Sequence, residues 1–403
     1  MSTSFLYHAF GIRGYEYVHT RYEHGQTIFR VGEEKFRLRC PQCQSSQVTK
    51  KGQVLRLFRM QPIGKRPTFL EVPIQRVGCV ACGVVRQVQL PFADKKVGYT
   101  KQFERYALEL SRLMTIGDAA DHLGVCWDTI KEIQKKYLKK RFDKPKLGKL
   151  RRLAIDEVHV GKKRFFTVVM DLKSGAVVFV GDGKDSDALN PFWESLGRHK
   201  AKIQAVAMDM GRAFIHAVRT NLPAATIVFD HFHVIKLFNE KLAQLRRSEQ
   251  KKAEEQHKDV LKGTRWLLLK KPCNLDDKHN EAERLREALD INQSLATAYY
   301  MKEDLGQIWQ QKDKVSAESL LDDWIKRAVA SGVGMLVRFA KTLSTHRDGI
   351  LAFHDFDRIS TGPLEGMNNK IGLMQREAYG FSDMEFFKLK IKSLHEAKRA
   401  VIG

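Results

Sequence analysis

The spacing of apolar residues changes several times along the chain, and each change predicts a different kind of structure. Residues 1–95 alternate apolar and polar positions in short runs such as VLRLFRM and TFLEVPIQRV, with Gly and Pro between them, which is typical of small β structure. Residues 101–142 change to helical spacing and predict three helices, beginning with QFERYALELSRLM. The basic stretch KKRFDKPKLGK then interrupts the pattern with Pro and Gly, so we expect a linker there.

A second pattern begins at Leu150. Three apolar runs, LAIDEVHV, RFFTVVMD and AVVFVGDG, are followed by alternating helical and strand-like segments up to Asp230. Three antiparallel strands followed by alternating helices and strands is the element order of the ribonuclease-H-like fold. From about Val234 to Leu351 the chain is charge-rich and helical, without a sustained heptad repeat. We interpret this part as a helical insertion in an α/β domain.

These changes divide the chain into six parts. We expect a β domain (1–95), a helical domain (96–142), a basic linker (143–149), the first part of an α/β core (150–235), a helical insertion (236–350) and the last part of the core (351–403).

Positive charge is in large excess. The 403 residues include 70 Lys and Arg against 47 Asp and Glu, which gives a net charge of +23 and a pI near 9.7. On a chain with 43% hydrophobic residues, which can form a real core, this excess predicts a polyanionic partner, most often nucleic acid. No apolar run approaches the roughly 20 residues of a spanning helix, and the first residues lack a signal-peptide pattern. We therefore expect an intracellular protein that is not in a membrane.

Four of the six cysteines occur as two C-x₂-C pairs, CPQC and CVAC. Two such pairs can complete the tetrahedral thiolate set of a structural zinc site. The expected Zn²⁺ ligands are Cys40, Cys43, Cys79 and Cys82. The 35 residues between the pairs exceed the usual spacing of a zinc ribbon, and the alternative is a set of reduced cysteines that never meet. Cys126 and Cys273 are isolated in sequence, and we expect both to be buried as small apolar residues.

Residues 115–142 have the pattern of a helix-turn-helix. Ala119 and Leu123 fit a small-residue first helix, Gly124 fits the turn, and a basic helix begins near Trp127. The second helix of this motif normally enters the major groove of DNA. The expected DNA-contacting residues are Trp127, Lys131, Lys135 and Lys136. The alternative is an ordinary helical hairpin with a solvated basic face.

Three acidic residues stand out from their apolar surroundings. Asp156 lies in the first core strand, Asp209 lies at the end of the fourth strand, and Glu365 lies at the start of a helix that opens with Gly-Pro. An ionised carboxylate among apolar residues is costly unless it has a partner. The first and fourth strands are neighbours in a ribonuclease-H-like sheet, so the two aspartates can converge. Carboxylates are ligands that Mg²⁺ and Mn²⁺ prefer, and two such ions can promote an in-line phosphoryl displacement.

Each acid also has a structural explanation. Asp156 could be a buried, hydrogen-bonded acid, Asp209 could cap the following helix, and Glu365 could stabilise a helix N-terminus. The three together favour a metal site. Glu157 alternates to the opposite face of its strand, and Asp171 lies in the turn DLKSG, so neither is assigned to the site.

The segment FDHFHVIK places Asp230 near His231 and His233. Two histidines beside an acid can bind zinc, but they can also orient phosphate or pack structurally. We expect Asp230 and His233 to support the acid site or to contact DNA, and not to bind a metal. Trp266 and Trp309, in the predicted insertion, could stack on a base, but we expect both to be core residues.

Four segments of the chain resemble a known protein family. They are LAIDEVHVGK, VAMDMGRAF, FDHFHVIKLFN and STGPLEGMNNKIGLMQREAYGF. They resemble the core blocks of bacterial insertion-sequence transposases of the ISL-three family, which belong to the DDE class. The CPQC and CVAC pairs and the segment IGDAADHLGVCWDTIKEI resemble that family's zinc-binding and helix-turn-helix domains, in the same order. The likeness therefore covers nearly the whole chain.

The resemblance implies an α/β protein: a ribonuclease-H-like catalytic domain with a helical insertion, preceded by a small β zinc-binding domain and a helix-turn-helix domain. It implies that Asp156, Asp209 and Glu365 are the DDE triad and bind Mg²⁺ or Mn²⁺. Asp230 and His233 resemble the D-x-x-H element of related transposases.

The resemblance also implies an activity and its partners. The family cleaves DNA at terminal inverted repeats and transfers the strand into target DNA. We therefore expect double-stranded DNA as the partner, a homodimer or higher oligomer in the synaptic complex, and a location in the bacterial cytoplasm at the nucleoid.

Two other functions fit parts of the sequence. A transcription regulator could use the zinc and helix-turn-helix domains without catalysis, but it has no need for the three acids together. A structure-selective nuclease could use the acids, but it would cleave without inverted-repeat ends and would not join DNA. A strand-transfer assay with matched ends separates the transposase from the nuclease.

Overall fold

The computed structural model describes residues 5–32 and 38–396. The chain forms two compact units, and the division between them falls after Asp143. In the described residues, none of the helices combines the length and the apolar character that crossing a bilayer requires.

The first unit combines a mixed β-sheet with a group of helices. Its elements are α1 (Phe5–Phe10), β1 (Tyr17–Glu23), β2 (Gln26–Val31), β3 (Val48–Ile63), β4 (Arg66–Cys79), β5 (Val85–Gln87), α2 (Lys101–Leu110), α3 (Ile116–Leu123) and α4 (Trp127–Phe142). The strands are arranged in the order β1-β2-β4-β3, and β5 pairs with β4. The predicted β structure is confirmed, but its strands are longer than the short runs suggested, because VLRLFRM and TFLEVPIQRV belong to strands of 16 and 14 residues.

Pro73 explains how a proline can lie inside β4. The strand pairs with β2 as far as Glu71 and with β5 from Arg76. The carbonyl of Gln75 accepts from the N–H of Val88, which follows β5, so the backbone polar groups of Gln75 point toward the β5 side of the strand. Pro73 is two residues before Gln75, and residues two apart in a strand point their backbone polar groups to the same side. The missing N–H of Pro73 therefore faces the gap between β2 and β5, where no ladder hydrogen bond is lost.

The helix-turn-helix pattern is formed by α3 and α4. Thr115 caps α3 and exchanges hydrogen bonds with Asp118 in a capping box. Gly124 ends the helix with φ of 61°, a left-handed conformation that favours glycine. Ile130 and Ile133 of α4 are fully buried against Ala119 and its neighbours. The sequence pattern is confirmed, since these apolar positions form one small core.

The second unit contains a sheet and the helices that cover it. Its first elements are β6 (Arg152–His159), β7 (Phe165–Asp171), β8 (Val177–Asp182), α5 (Asn190–His199), β9 (Ala205–Met208), α6 (Arg212–Asn221) and β10 (Thr226–Phe229). The strand order is β10-β9-β6-β7-β8. β6, β7 and β8 are antiparallel neighbours, whereas β9 is parallel to β6 and β10 is parallel to β9. The element order expected from the sequence is confirmed.

Helices make up most of the remaining chain. They are α7 (His231–Lys252), α8 (Glu255–Gly263), α9 (Glu281–Ile291), α10 (Gln293–Gln307), α11 (Lys314–Ala330), α12 (Gly334–Thr345), α13 (Arg347–Leu351), α14 (Gly362–Glu377) and α15 (Met384–Ser393). Phe238, Trp324 and Phe339 pack edge to face where α7, α11 and α12 meet. The indole N–H of Trp324 donates to the carbonyl of Met301 at 2.8 Å, so the largest buried side chain has its polar group satisfied.

The two faces of the second sheet are covered by different helices. Leu153 and Ile155 face the large core that includes residues of α5, α6 and α7. Ala154, Val158 and Ala207 face the opposite way, toward α14 and α15. The alternation of β6 therefore decides which side chains lie beneath α14.

Several expectations about buried residues were wrong. Cys126 and Cys273 are both exposed, because Cys126 precedes α4 in the helix-turn-helix turn and Cys273 lies in a short 3₁₀ turn. Trp266 is 63% exposed, whereas Trp309 is buried as expected. In the predicted linker, Leu147 is buried in the large core of the second unit, so this basic segment is anchored by an apolar side chain.

Candidate active site

Asp156 lies in β6, and Asp209 is the first residue after the neighbouring parallel strand β9. In the β6–β9 register Ala154 pairs with Ala207. Two residues further along the chain come Asp156, within β6, and Asp209, just past the end of β9. Parallel strands lie about 4.8 Å apart. The register therefore brings the two aspartates side by side, although they are far apart in sequence.

Asp156 lies on the sheet face that α14 covers, and Asp209 comes directly after the strand that carries Ala207 on that face. Residues two apart in a strand point to the same face, so Asp156 follows Ala154, and the side chains of Ala154 and Ala207 pack in the cluster with α14. Glu365 lies in the first turn of that helix. All three predicted acids are half-buried, so each remains open to a ligand.

Two hydrogen bonds fix the carboxylate of Asp156. The backbone N–H of Glu157 donates to Oδ1 at 2.8 Å, and Nδ2 of Asn368 donates to Oδ2 at 2.8 Å. Asn368 is three residues after Glu365 in α14, so the two side chains share one side of the helix. The bond therefore connects the helix that carries Glu365 directly to Asp156.

The charges around Asp156 show that the three acids are electrostatic neighbours. Burial raises the pKa of the Asp156 carboxyl, and the negative charges of Asp209 and Glu365 raise it further, against the opposing effects of the Glu157 N–H and the His233 charge. Burial followed by the charges of Asp209 and Asp156 raises the pKa of Glu157 as well. This concentration of negative charge is the environment that a divalent cation would neutralise.

The carboxylate of Asp209 is held by the turn that follows β9. Its Oδ1 accepts from the backbone N–H of Gly211 at 2.9 Å. A Cβ atom at Gly211 would lie 2.8 Å from the same oxygen, closer than real contacts allow. Glycine is therefore needed here for the close approach of the backbone to the carboxylate.

Asp230 links the end of β10 to the start of α14. Its side chain caps α7 by accepting from the N–H of His233, and its Oδ1 accepts from the N–H of Thr361 at 3.2 Å. Thr361 is the residue that precedes α14, and its carbonyl accepts from the N–H of Glu365. Because Asp230 and Thr361 are almost fully buried, this connection fixes the position of the helix start.

His233 is hydrogen-bonded to Asp230 and lies near the acids. Its Nδ1 lies 3.1 Å from Oδ2 of Asp230. This hydrogen bond raises the pKa of His233 despite its burial, and the charges of Asp156 and Asp209 act in the same direction. Burial acts to raise the pKa of Asp230, but the His233 bond and the nearby histidine charges lower it overall. Nδ1 of His231 lies 3.7 Å from Oδ1 of Asp230, and the His231 ring packs against Phe353.

The four predicted zinc ligands come together in the first unit. The Sγ atoms of Cys40 and Cys82 lie 3.6 Å apart, and those of Cys43 and Cys79 lie 3.5 Å apart. All four sulfur atoms lie within 4.8 Å of one another. Tetrahedral thiolates with Zn–S bonds of about 2.3 Å have sulfur atoms about 3.8 Å apart, so the spacing fits zinc and excludes the alternative of cysteines that never meet.

The thiols differ in their readiness to lose a proton. The backbone N–H groups of Cys43 and Gln42 lower the pKa of Cys40 to about 6. The N–H of Val84 acts in the same direction on Cys82, but burial and the neighbouring thiols raise its pKa to about 12. Sulfur atoms this close repel as thiolates, which a cation among them would offset.

Among the described residues, the four cysteines are the one group of three or more potential metal ligands whose donor atoms all lie within 4.8 Å of one another. The ligand oxygens of Asp156, Asp209 and Glu365 therefore do not all lie within 4.8 Å of one another.

The predicted DNA-contacting residues of α4 do not share one environment. Trp127 is 51% exposed, and Nζ of Lys131 lies 5.3 Å from the centre of its ring. Lys135 is half-buried. Lys136 forms ion pairs with Asp94 at 2.6 Å and Glu104 at 2.9 Å. The charge of Lys136 is therefore compensated by two carboxylates of the first unit.

Sequence reasoning did not identify Asn368 or Thr361. Asn368 contacts Asp156, and Thr361 contacts both Asp230 and His233. The i, i+3 spacing of Glu365 and Asn368 was a usable signal for the first. No sequence signal indicates the second, because its partners lie about 130 residues away.

Comparisons with known proteins identify the family of the chain. Residues 153–391 match the family model for the DDE domain of ISL3 transposases, described as a transposase, and residues 88–138 match the helix-turn-helix domain of transposase family ISL3. The chain is 30% identical to the transposase for insertion sequence element IS1001 of Bordetella parapertussis over 88% of each protein. It is 28% identical to the transposase for IS1557 of Mycobacterium tuberculosis, covering 85% of this chain and 82% of that one.

One solved structure is also similar. The Drosophila P element transposase strand transfer complex matches with a TM-score of 0.39 at 12% identity, over 73% of this chain and 92% of that one. The DDE family match spans more than half of the chain, and the IS1001 relative extends the likeness through the first unit. The chain belongs to the ISL3 family of DDE transposases.

Proposed function

We propose that Asp156, Asp209 and Glu365 are the catalytic residues of this transposase and bind a pair of Mg²⁺ or Mn²⁺ ions. One relationship carries the proposal: the β6–β9 register brings the end of β9, which Asp209 follows, beside Asp156 under α14, which bears Glu365, and the charges of Asp209 and Glu365 both act on Asp156. The residues fit these ions because all three offer hard oxygen ligands. When bound, two such ions stabilise the attacking and leaving oxygens of a phosphodiester displacement.

The remaining residues of the site hold the acids in place. Asn368 orients the Asp156 carboxylate, and the N–H of Gly211 orients that of Asp209. Asp230 fixes the start of α14, and His233, whose pKa is raised by its bond to Asp230, lies beside the acids. In this proposal the side chains of the site act as ligands and positioning groups, and the two-ion displacement needs no covalent enzyme intermediate.

We infer that the second sheet is ribonuclease-H-like. Three antiparallel strands followed by two parallel strands, in the order β10-β9-β6-β7-β8, support this inference. In this proposal the core consists of residues 150–235 and 351–403, interrupted by the helical insertion 236–350. Residues 1–95 and 96–142 are the zinc-binding and DNA-binding domains, and 143–149 joins them to the core.

We propose that the four cysteines bind one structural Zn²⁺. The spacing of their sulfur atoms supports this role, and four protein ligands leave no open position for substrate. The end of β3 near this cluster, residues 49–55, is exposed. Metal binding would stabilise this end of the sheet, where apolar packing is sparse.

We propose that α4 contacts the terminal inverted repeats of the element in the major groove, with target DNA as the second substrate. Two matched ends must meet before both are joined, so a homodimer or higher oligomer is expected in the synaptic complex. The bacterial relatives IS1001 and IS1557 support action on the nucleoid in the cytoplasm. The regulator alternative is not favoured, because the DDE family match covers the second unit.

The test uses linear DNA that carries the element's own ends, with Mg²⁺. Asp209→Asn should reduce strand cleavage by more than about 100-fold, since removing a ligand of a two-ion site removes several kcal/mol of transition-state stabilisation. Asp290→Asn is the matched control, because Asp290 is exposed on α9 and the charge change is the same. Cleavage by Asp209→Asn at the rate of the parent protein would rule out the proposed catalytic role.

A further inference from the structure

A groove next to Asp209 has no role in the chemistry described above. It has a volume of about 640 Å³ and lies between α6 and α12. Ile215 and Leu237 contribute apolar surface to it, and its wall begins at Met210, directly after Asp209. One lining residue of the groove is therefore the immediate neighbour in sequence of Asp209.

The two walls of the groove carry cations at helical spacing. Arg212 and Arg219 are seven residues apart on α6, so both project from one side of that helix. Arg338 and Lys341 are three residues apart on α12 and face the groove together. All four are exposed, and the lining contains no carboxylate. The groove thus presents positive charge from both sides.

These cations differ from others in the same unit. In the part of the chain that the structure describes, none of the four takes part in an ion pair. Arg327 on α11, by contrast, pairs with Asp304 and Asp323. Burial lowers the pKa of His346 at the groove, and the charges of Arg219 and Arg212 lower it further, which agrees with an uncompensated positive field there.

We propose that this groove binds the phosphate backbone of target DNA and guides it toward the acid site. The inference rests on the proposed catalytic role of Asp209. Lysine and arginine side chains bind phosphates without reading sequence, and the apolar floor offers few groups that could recognise a base. Sequence-independent contact suits the target, because the inverted repeats must be recognised by sequence.

The hydroxyl groups in the groove are already occupied. Thr342 donates to the carbonyl of Arg338, and Thr345 donates to the carbonyl of Lys341. They therefore leave phosphate binding to the cations. A contact of this kind releases counterions, so its contribution to affinity must fall as salt increases.

The test compares two double variants of the full-length protein. Arg338→Gln/Lys341→Gln removes two charges from the groove, and Lys326→Gln/Arg327→Gln removes two exposed charges from α11. Binding to a random-sequence duplex is measured over a range of salt concentrations without added Mg²⁺. Each cation that contacts a phosphate contributes about one unit to the steepness of log affinity against log salt. The groove variant, which loses two cations, should therefore reduce this steepness by about 2. The control variant should reduce it by less than half as much. Equal slopes for the two variants would overturn the proposal.

Arg219→Gln tests the facing wall independently. It should lower the slope by about 1 while the melting temperature stays that of the parent, since Arg219 is exposed. An unchanged slope in both the Arg219 variant and the α12 variant would show that the groove does not contact DNA phosphates and would overturn the proposal.

Two reaction assays identify which DNA lies in the groove. The α12 variant should join pre-cleaved ends to target DNA at least about tenfold more slowly, a loss of about 1.4 kcal/mol, and should still cleave uncut ends. Loss of cleavage with normal joining would assign the groove to flanking DNA and overturn the target assignment. Normal cleavage by Asp209→Asn would refute the catalytic proposal but would not refute DNA binding by the groove. The two outcomes are distinguishable because the salt dependence of binding is measured without the cleavage reaction.

Discussion

Nδ2 of Asn368 donates a hydrogen bond of 2.8 Å to Oδ2 of Asp156, across 212 residues of sequence. The bond joins the central strand of the second sheet to the helix that carries Glu365. A second bond, from Gln375 of α14 to the carbonyl of Val160 at 2.7 Å, holds the same helix against the end of β6. The distance between the first and third acids is therefore set by contacts of α14 as well as by the acids themselves.

Asn368→Ala should reduce strand cleavage by about 10- to 100-fold, because a hydrogen bond to a charged group contributes about 1.5–3 kcal/mol and about 1.4 kcal/mol is tenfold in rate. Single-turnover cleavage of end DNA measures the effect. Asn369→Ala is the control, since Asn369 is the exposed neighbour on α14. Equal rates for the two variants would show that the bond to Asp156 does not matter for the reaction.

Gly211→Ala should slow cleavage by about 10- to 100-fold, since displacing a reacting group by about 1 Å has costs of this size. The added methyl group would contact Oδ1 of Asp209 and move that carboxylate. Gly197→Ala is the matched control, because a Cβ at Gly197 in α5 meets no atom within 4 Å. A Gly211 variant that retains full cleavage while folding normally contradicts the need for this close approach.

Asp230→Asn should lower the free energy of unfolding by about 1–3 kcal/mol near pH 5 and by less at pH 9. The raised pKa of His233 means that the pair stabilises fully below the ordinary histidine value of 6.5 and that this stability is lost as the pH rises through the raised value. The lowered pKa of Asp230 means that the stability is present above 3.8 and lost as the pH falls through the lowered value. Chemical unfolding at each pH measures the difference.

The control for this pair is Asp383→Asn. Asp383 caps α15 by accepting from the N–H of Phe386, so the substitution changes a cap of the same kind elsewhere in the unit. Its effect should change less between pH 5 and pH 9. NMR titration should also find the pKa of His233 closer to its ordinary value in the Asp230 variant, and an unchanged value would refute the assigned partner.

Chelation of zinc should unfold the end of the first sheet that carries the cysteines. Zinc binding in such sites contributes about 10–16 kcal/mol to the free energy of folding. The far end of the β3–β4 hairpin should stay folded without the metal, because it has its own apolar core around Phe58 and Leu70. Limited proteolysis should therefore cut first within residues 49–55. Cys79→Ser should abolish zinc binding in a metal assay. Cys126→Ser, at an exposed cysteine outside the cluster, should leave one zinc per chain.

Lys131→Gln should weaken binding to end DNA and lower the salt slope by about 1. Lys136→Gln should leave the slope nearly unchanged, because Asp94 and Glu104 hold its charge at 2.6 and 2.9 Å, whereas Lys131 pairs with Asp128 at the longer distance of 3.9 Å. Both variants change one charge on α4, so each is the control for the other. A larger slope change for Lys136 than for Lys131 would reverse the assignment of the DNA-facing side of the helix.

Much of the local structure followed from the sequence because it depends on neighbouring residues. The alternation LAIDEVHV predicted β6 and indicated that Asp156 and Glu157 face opposite sides of it. Gly124 and the small residues before it predicted the helix-turn-helix, and the two C-x₂-C pairs predicted the cysteine cluster. In each case a short-range pattern of side-chain size or backbone freedom was enough.

The burial of isolated residues was harder to predict. Cys126 and Trp266 are exposed, although both residue types are usually buried. Lys136 lies on the basic helix as expected, but its charge is paired with residues of other elements. These outcomes depend on which segments pack nearby, and residue type alone does not contain that information.

The sequence by itself determined the elements, the family and the three acids that the family likeness singles out. Only the tertiary structure decided that the β6–β9 register aligns Asp156 with Asp209 and that Asp230 secures the start of α14 through Thr361. The physical reason is range. Strand alternation and helix capping are set within a few residues, whereas the β6–β9 register joins segments 53 residues apart and the bond to the start of α14 spans 131 residues.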